Sequence, residues 1–377
     1  DTGFALYPCE NDLIDNVLRM NALIALFTLS VLAANAISVQ PIQNIAFGSC
    51  AMQTKAQPIW ELIAEQSPDL FLFIGDAIYA DYDGKETYTP TEATLKRDWG
   101  LLANEPHYKA FRSQVPIMAT WDNHDYGSHD SGAEFELKEV TKNYFLDFFK
   151  EPEDSLRRMT PGIYDARIFG PKGKRVQVIL LDTRWFKGPA LRDKRSKEDR
   201  QAAGLTGSMG KYRPNSDPDV TLLGDEQWRW LEAQLKQPAE LRLLVSSTQV
   251  IADRKHMDEW GNYPLERQRL FELIERTQAQ GVIILSGNVH FAELSKLNGD
   301  RLELYDFTSS GLTHTNAAYA AAANPYRVAG PYDGLNFGMV EIDWDAKPSP
   351  VIRLVAMNSD GEPMFENRLS LSEVGKH

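Results

Sequence analysis

Seven short, mostly apolar runs recur along the chain, and each stops in a polar, chemically loaded turn. They are IAFGSC (45–50), DLFLFIGD (69–76), VPIMATWDNHD (115–125), VQVILLDTR (176–184), LRLLVSSTQV (241–250), GVIILSGNVH (281–290) and LYDFTSSG (304–311). Strand-length runs with little polar alternation need cover on both faces, as in sheets enclosed by helices. Helical patterns at 58–66, 224–235 and 264–280 lie between them. The alternation predicts an α/β layered fold, and in such folds functional groups collect at the carboxyl ends of the strands. Five of these runs end in side chains of metal-ligand type, which a purely structural chain has little reason to supply.

The first residues read differently. From Met20, the segment MNALIALFTLSVLAANA carries an apolar run, Leu23 to Leu32, followed by Ala34-Asn35-Ala36. That is the pattern of a Sec-type signal peptide over 20–36, cleaved after Ala36, although no Lys or Arg lies between Met20 and the run. The run is short for a bilayer span. Residues 1–19 then read as an upstream extension or cloning remnant, 37–377 as a single catalytic domain, and the destination as periplasmic or secreted. The net charge of −13 argues against a nucleic-acid-binding surface, and no basic amphipathic helix suggests a stable membrane anchor. Two cysteines are present, Cys9 and Cys50. Once the leader is removed, Cys50 has no partner for a disulfide. By itself it reads as a small buried hydrophobe, a nucleophile, a lipidation site or a metal ligand.

The turns supply Asp76 and Tyr79, then Asp122, Asn123, His124 and Asp125, then Asp182 and Arg184, then Gln249, then Asn288 and His290. Any one of them alone is weak, since an isolated Asn-His-Asp turn is usually just solvated. Their joint occurrence, each at a strand end, is strong. Together the segments FGSC, GDAIY, WDNHD, LDTR, LGDEQWRWL, SGNVHF and FTSSG resemble the alkaline phosphatase D (PhoD-like) family of calcineurin-like binuclear metallophosphatases, over about residues 42–345. The resemblance implies a four-layer sandwich, with two β-sheets packed face to face and flanked by α-helices. It implies a binuclear metal centre with Cys50, Asp76, Tyr79 and His290 around the first metal and Asp76 as the bridging carboxylate. Asn123, Gln249 and Asn288 would serve the second metal, with His124 as proton donor. Asn123 and Asn288 depart from the family, which often carries aspartate at both places.

Donor chemistry suggests the metals. Thiolate, phenolate, imidazole and carboxylate suit a Lewis-acidic ion such as Fe(III), whereas carboxylate and amide oxygens suit Ca²⁺. Asp81, Asp122 and Asp125 are candidates for supporting hydrogen bonds. The expected reaction is hydrolysis of phosphate mono- or diesters, small or lipid-derived, by a metal-bound hydroxide. Arg184 would clamp the non-bridging oxygens and His124 would protonate the leaving group. Alternatives are a phospholipase D-like or phosphotriester-hydrolysing enzyme on the same site, or a metal-bearing phosphate-binding module without turnover. The polar stretch 187–220 reads as a long excursion or lid, and 315–324 as a short helix and loop near the site mouth. His256 and His314 are weaker candidates for the mouth, and Trp121, Tyr126, Trp185, Trp260 and Tyr326 are core aromatics or pocket walls.

Overall fold

The computed structural model describes residues 40–299 and 302–374. The leader, its cleavage signal and Cys9 lie outside the described residues. The strands, in chain order, are β1 (Asn44–Gly48), β2 (Leu70–Ile74), β3 (Ile117–Thr120), β4 (Asp165–Phe169), β5 (Val176–Leu180), β6 (Leu241–Val245), β7 (Val282–Ser286), β8 (Ala292–Asn298), β9 (Glu303–Ser309), β10 (Arg327–Tyr332), β11 (Asn336–Asp343), β12 (Val351–Asn358) and β13 (Pro363–Ser370). They form a six-stranded sheet, β13-β12-β11-β1-β2-β3, and a seven-stranded sheet, β10-β8-β9-β7-β6-β5-β4. In the six-stranded sheet the parallel set β1-β2-β3 runs to one edge and the antiparallel β11, β12 and β13 lie on the other side; in the seven-stranded sheet a parallel centre, β5-β6-β7-β9, is flanked by antiparallel strands on both sides.

The period-2 geometry of a strand explains why the central runs are apolar throughout. Leu70, Leu72 and Ile74 of β2 face inward and meet Val176, Val178, Leu180, Leu243 and Val245 of the opposite sheet. Phe71 and Phe73 point the other way, against Trp60, Trp99, Tyr108, Phe111 and Phe145. Those five residues belong to, or adjoin, helices at Ile59–Glu65, Glu92–Asn104, Pro106–Phe111 and Lys138–Phe148. On the far side, Ile179, Leu244 and Ile284 pack on Trp228, Leu231, Leu270 and Ile274, from helices Gly224–Leu235 and Pro264–Thr277. The molecule is therefore the four-layer α/β/β/α sandwich expected. Trp121, Tyr126, Trp185 and Trp260 are buried core residues, and Tyr326 packs at the edge of the outer core.

The excursion at 187–220 carries one short helix, Lys197–Ala202, and is tied down by backbone bonds to Lys255, His256 and Asn262 and by a cluster of contacts to Asp130. The Tyr212 hydroxyl donates to Asp130 Oδ2 at 2.7 Å, Lys211 pairs with the same oxygen, and Lys187 Nζ donates to the Asp130 carbonyl at 2.6 Å. Burial works against the charge of Asp130, but His129, Lys211 and Lys187 win and hold its carboxyl well below the usual carboxylate range. Asp130→Ala strands Lys211 and is expected to lower the unfolding free energy by about 3 kcal/mol. Limited proteolysis should then cut within 187–220, where the parent resists; equal resistance would show that the excursion is held by other contacts.

Candidate metal centre

The parallel strands of both sheets point their carboxyl ends at one region, and the chain leaves several of them in a left-handed conformation. Gly75, at φ +113°, closes the turn after β2, where a Cβ would lie 2.7 Å from the Asp122 Cβ. Beyond glycine, nine described residues have positive φ, and four of them are expected ligands: Cys50 (65°), Asp76 (52°), Asn288 (70°) and His290 (60°). Such conformations cost of order 1–3 kcal/mol each and persist only where surrounding structure enforces them. Here that structure is the strand-end geometry that aims the side chains inward.

Cys50, Asp76 and Tyr79 are buried together. Cys50 Sγ lies 3.4 Å from Asp76 Oδ2 and 3.1 Å from Ser310 Oγ. Asp76 Oδ1 accepts from the His124 backbone N–H at 3.1 Å. The Tyr79 ring stacks on His124, with centroids 4.2 Å apart, and its hydroxyl lies 3.0 Å from His314 Nε2. His314 in turn meets the His290 ring at 4.4 Å. His124 shares a 2.6 Å hydrogen bond from Nδ1 with Asp81 Oδ1, and Asn123 Nδ2 lies 3.2 Å from His129 Nδ1. The structure thus brings Cys50, Asp76, Tyr79, Asn123, His124 and His290 into one neighbourhood. Asn288 joins from the other sheet, its Nδ2 donating to the Asp258 carbonyl at 3.1 Å. Gln249 makes its contacts slightly apart, with Glu293 (2.8 Å) and Thr308 (2.9 Å) through Nε2.

The electrostatics of this group favour a cation. Burial pushes the Cys50 thiol well up, and Asp76 adds to it. Burial likewise raises Tyr79, with Cys50 and Asp76 reinforcing the shift. Asp76 is raised by burial and then by Asp122 and Asp125. Burial and the neighbouring His314, His124 and His129 drive His290 well below its ordinary value, and burial with Lys55 pushes His314 down to about 3. Three acidic groups crowded in a dry volume repel one another, and a metal ion among them reverses that penalty. The amides point the same way. Asn123 and Gln249 commit their NH₂ groups to protein neighbours, while Asn123 Oδ1 and Gln249 Oε1 are buried without a partner. Such orphaned carbonyl oxygens are costly unless something binds them. Among the described residues no three His, Cys, Asp or Glu side chains alone are set to hold a metal; the fit depends on Tyr79 and the amides.

Arg184 corrects the sequence reading. Its guanidinium is wholly buried, with Nε donating to Asp122 Oδ1 at 2.8 Å, Nη2 to the same oxygen, and Nη1 to Asp258 Oδ2. Burial disfavours the charge, but Asp122 and Asp258 outweigh it and hold the pKa well above normal. A group so enclosed presents no fork to a phosphate, and Arg184 is a structural tie. His256 is also not part of the group: its backbone N–H bonds Glu259 at 2.8 Å, and its Nδ1 is buried without a partner. Conversely, His129, Ser310 and Thr313 belong to the site without having been singled out. The first lies four residues beyond WDNHD, and Ser310 sits inside FTSSG, so proximity to known motifs was the only signal they offered.

The fold and these strand-end donors define a metallophosphatase-like architecture. The family model described as PhoD-like phosphatase matches residues 45–144 and 156–325, and the chain belongs to that family. Alkaline phosphatase D of Bacillus subtilis (strain 168) is 22% identical over 294 residues, covering 69% of this chain and 48% of the relative. The chain thus spans about half the length of that curated relative. A solved structure described as PhoD superposes with a TM-score of 0.63 at 17% identity, covering 89% of this chain and 73% of that one. GAP50, described as the anchor in the inner membrane complex of Plasmodium, gives 0.50 at 13% identity, covering 88% and 89%. These two likenesses concern the fold alone.

If Arg184 is a structural tie, Arg184→Met leaves Asp122 buried without its cation and Asp258 with Lys187 alone, 3.4 Å away. Denaturant unfolding of the variant should show a loss of about 3–5 kcal/mol. A variant as stable as its parent, with only a raised KM for phosphate esters, would return the guanidinium to the substrate.

Proposed function

We propose that the protein is a secreted, metal-dependent phosphoesterase acting on phosphate mono- and diesters. The observation that carries this reading is the convergence of Cys50, Asp76, Tyr79 and His290 beside a His124–Asp81 pair. Cys50, Tyr79, His290 and Asp76 would hold Fe(III), and Asp76, Asn123, Gln249 and Asn288 would hold Ca²⁺. When bound, the two ions would supply Lewis-acid polarisation of the phosphoryl group and acidify the attacking water. Export rests on the 20–36 leader pattern. Among the described residues no helix is long and apolar enough to cross a membrane.

The chain's own groups account for the rest. His124 receives its orientation from Asp81 through Nδ1 and from stacking on Tyr79, which leaves Nε2 to serve the ester oxygen. A proton delivered there neutralises the departing alkoxide. Lys55 is exposed and reaches the Thr313 carbonyl at 3.4 Å; its charge is felt at His290 and His314, and it supplies positive potential to the rim where an anionic ester would approach. The same fold occurs in a protein described as an anchor, so the fold alone does not argue for turnover. The oriented His124–Asp81 pair does, because a binding module has no need of a positioned proton donor.

Hydrolysis of p-nitrophenyl phosphate and bis-p-nitrophenyl phosphate should disappear on chelation and return when iron and calcium are added together. Undiminished turnover by protein shown free of metal by elemental analysis would overturn the reading. In His124→Ala both metals should remain while kcat falls by roughly 10²–10⁴. The loss should be larger for alkyl esters than for nitrophenyl esters, whose leaving group departs unaided; equal losses would remove the proton-donor role.

A further inference from the structure

We propose that Glu293 is a positioning residue: it fixes the sense of the Gln249 amide, leaves the amide oxygen for a cation, and so sets how tightly the second metal is held. The inference rests on the metal-binding reading of the site given above. A glutamate on β8 calls for a reason, since Glu293 is wholly buried and a carboxylate taken out of water is costly without partners. Its surroundings supply one. Glu293 lies directly opposite Thr308 of β9, and side chains so paired share one face of the sheet. Both meet Gln249 there: Gln249 Nε2 donates to Glu293 Oε1 at 2.8 Å and to Thr308 Oγ1 at 2.9 Å. The other carboxylate oxygen, Oε2, accepts from Arg327 Nε at 2.6 Å, and Lys255 Nζ lies 3.9 Å from Oε1.

A carboxylate held between two cations accepts hydrogen bonds and offers none, so the amide end that faces it has to be the NH₂ group. Gln249 Oε1 is thereby turned away from Glu293, and it is buried without a partner. An amide binds a hard cation through oxygen alone. The NH₂ protons are the same with or without the ion, so the bonds to Glu293 and Thr308 persist when the site is loaded. The segment carrying Gln249 also runs beside the other residues expected at the second metal. The Ser247 hydroxyl donates to Asp122, next to Asn123, at 2.7 Å, and the Ser247 carbonyl accepts from the N–H of Gly287, next to Asn288, at 3.1 Å. The Gln249 carbonyl accepts from the Trp260 N–H at 3.1 Å, and Asn288 Nδ2 is anchored two residues earlier, on the Asp258 carbonyl. Arg327 has a second duty, since its Nη2 donates to the carbonyls of Ala320 and Ala322 at 3.2 and 3.1 Å. Partners that orient ligands in this way commonly change metal affinity 10–100-fold when removed.

The test uses Glu293→Gln, which keeps the shape and leaves an oxygen for Arg327, the charged donor. Its new NH₂ group meets the NH₂ of Gln249, so Gln249 has to turn its oxygen toward Glu293→Gln and its NH₂ toward the cation. Adding Gln249→Glu to Glu293→Gln restores an acceptor at both ends. Calcium binding is measured by equilibrium dialysis at graded free calcium, with iron per chain by elemental analysis of the same samples. Glu293→Gln should need roughly 10–100-fold more free calcium for half-saturation while its iron content matches the parent, and the double variant should bind within about threefold of the parent or tighter. If Glu293→Gln fails to fold, Gln249→Met decides: it removes the oxygen at similar volume and should weaken calcium binding at least as much, with iron intact. Unchanged calcium binding in either single variant overturns the proposal, as does a double variant no better than Glu293→Gln. A parallel loss of calcium and iron also overturns it, because Glu293 would then be a strut of the fold. A parent protein that takes up no metal at all overturns the metal-dependent function and this inference together, whereas a parent that holds both metals beside indifferent variants overturns this inference alone.

Discussion

One buried guanidinium ties the two sheets together where the strands end. Arg184, just past β5, joins Asp122, just past β3 of the opposite sheet, to Asp258 in the loop that follows β6. Removing a cation and two carboxylates from water is expensive, and the cost is recovered only if each charge meets its partner in good geometry. Neighbouring bonds reinforce the same seam. Trp121 Nε1 donates to Asp182 at 2.8 Å, the Thr120 hydroxyl to the Leu181 carbonyl at 2.7 Å, and the Ser247 hydroxyl to Asp122 at 2.7 Å. Because Asp122 is held this firmly against Gly75, the turn that presents Asp76 has little room to vary. The seam gives the donors of two separate sheets a common frame.

Within that frame the centre is held in tension. Four expected ligands sit in left-handed backbone conformations, acidic groups are crowded beyond their ordinary ionisation ranges, and amide oxygens are buried with no partner. Single departures occur elsewhere among the described residues, but at these strand ends strained backbone, crowded acids and unpartnered oxygens coincide, which is the pattern expected of a functional site. Cations would relieve the crowded charges and satisfy the orphaned oxygens together. Cys50 fits this account as one donor of a strained group, shielded from solvent, and its thiol needs no role as a nucleophile.

The layers were legible because two-sided burial leaves an unmistakable trace: Phe71 and Phe73 serve one interface while Leu70 and Leu72 serve the other. The helices at 224–235 and 264–277 were legible for the same reason, through their apolar faces. Candidate site residues could be nominated where they lie within a few residues of a strand's end, as with Asp76 after β2 and His290 after β7. Arg184 was misread because its role depends on Asp258, 74 residues away, and sequence spacing says nothing about which charges share a dry interior. Thr313, Ser310 and His129 escaped notice because their importance lies in hydrogen bonds made when loops fold back on the strand ends.

The central claim is that these strand ends form a two-metal centre, and anomalous diffraction from crystals of the metal-loaded protein tests it most directly. The account predicts two peaks in the anomalous difference maps. One, at the iron edge, should be bounded by Cys50, Asp76, Tyr79 and His290; the other should be bounded by Asp76, Asn123, Gln249 and Asn288. Metal at a different place in the fold, or a loaded and active protein with no peak beside Cys50, would contradict it.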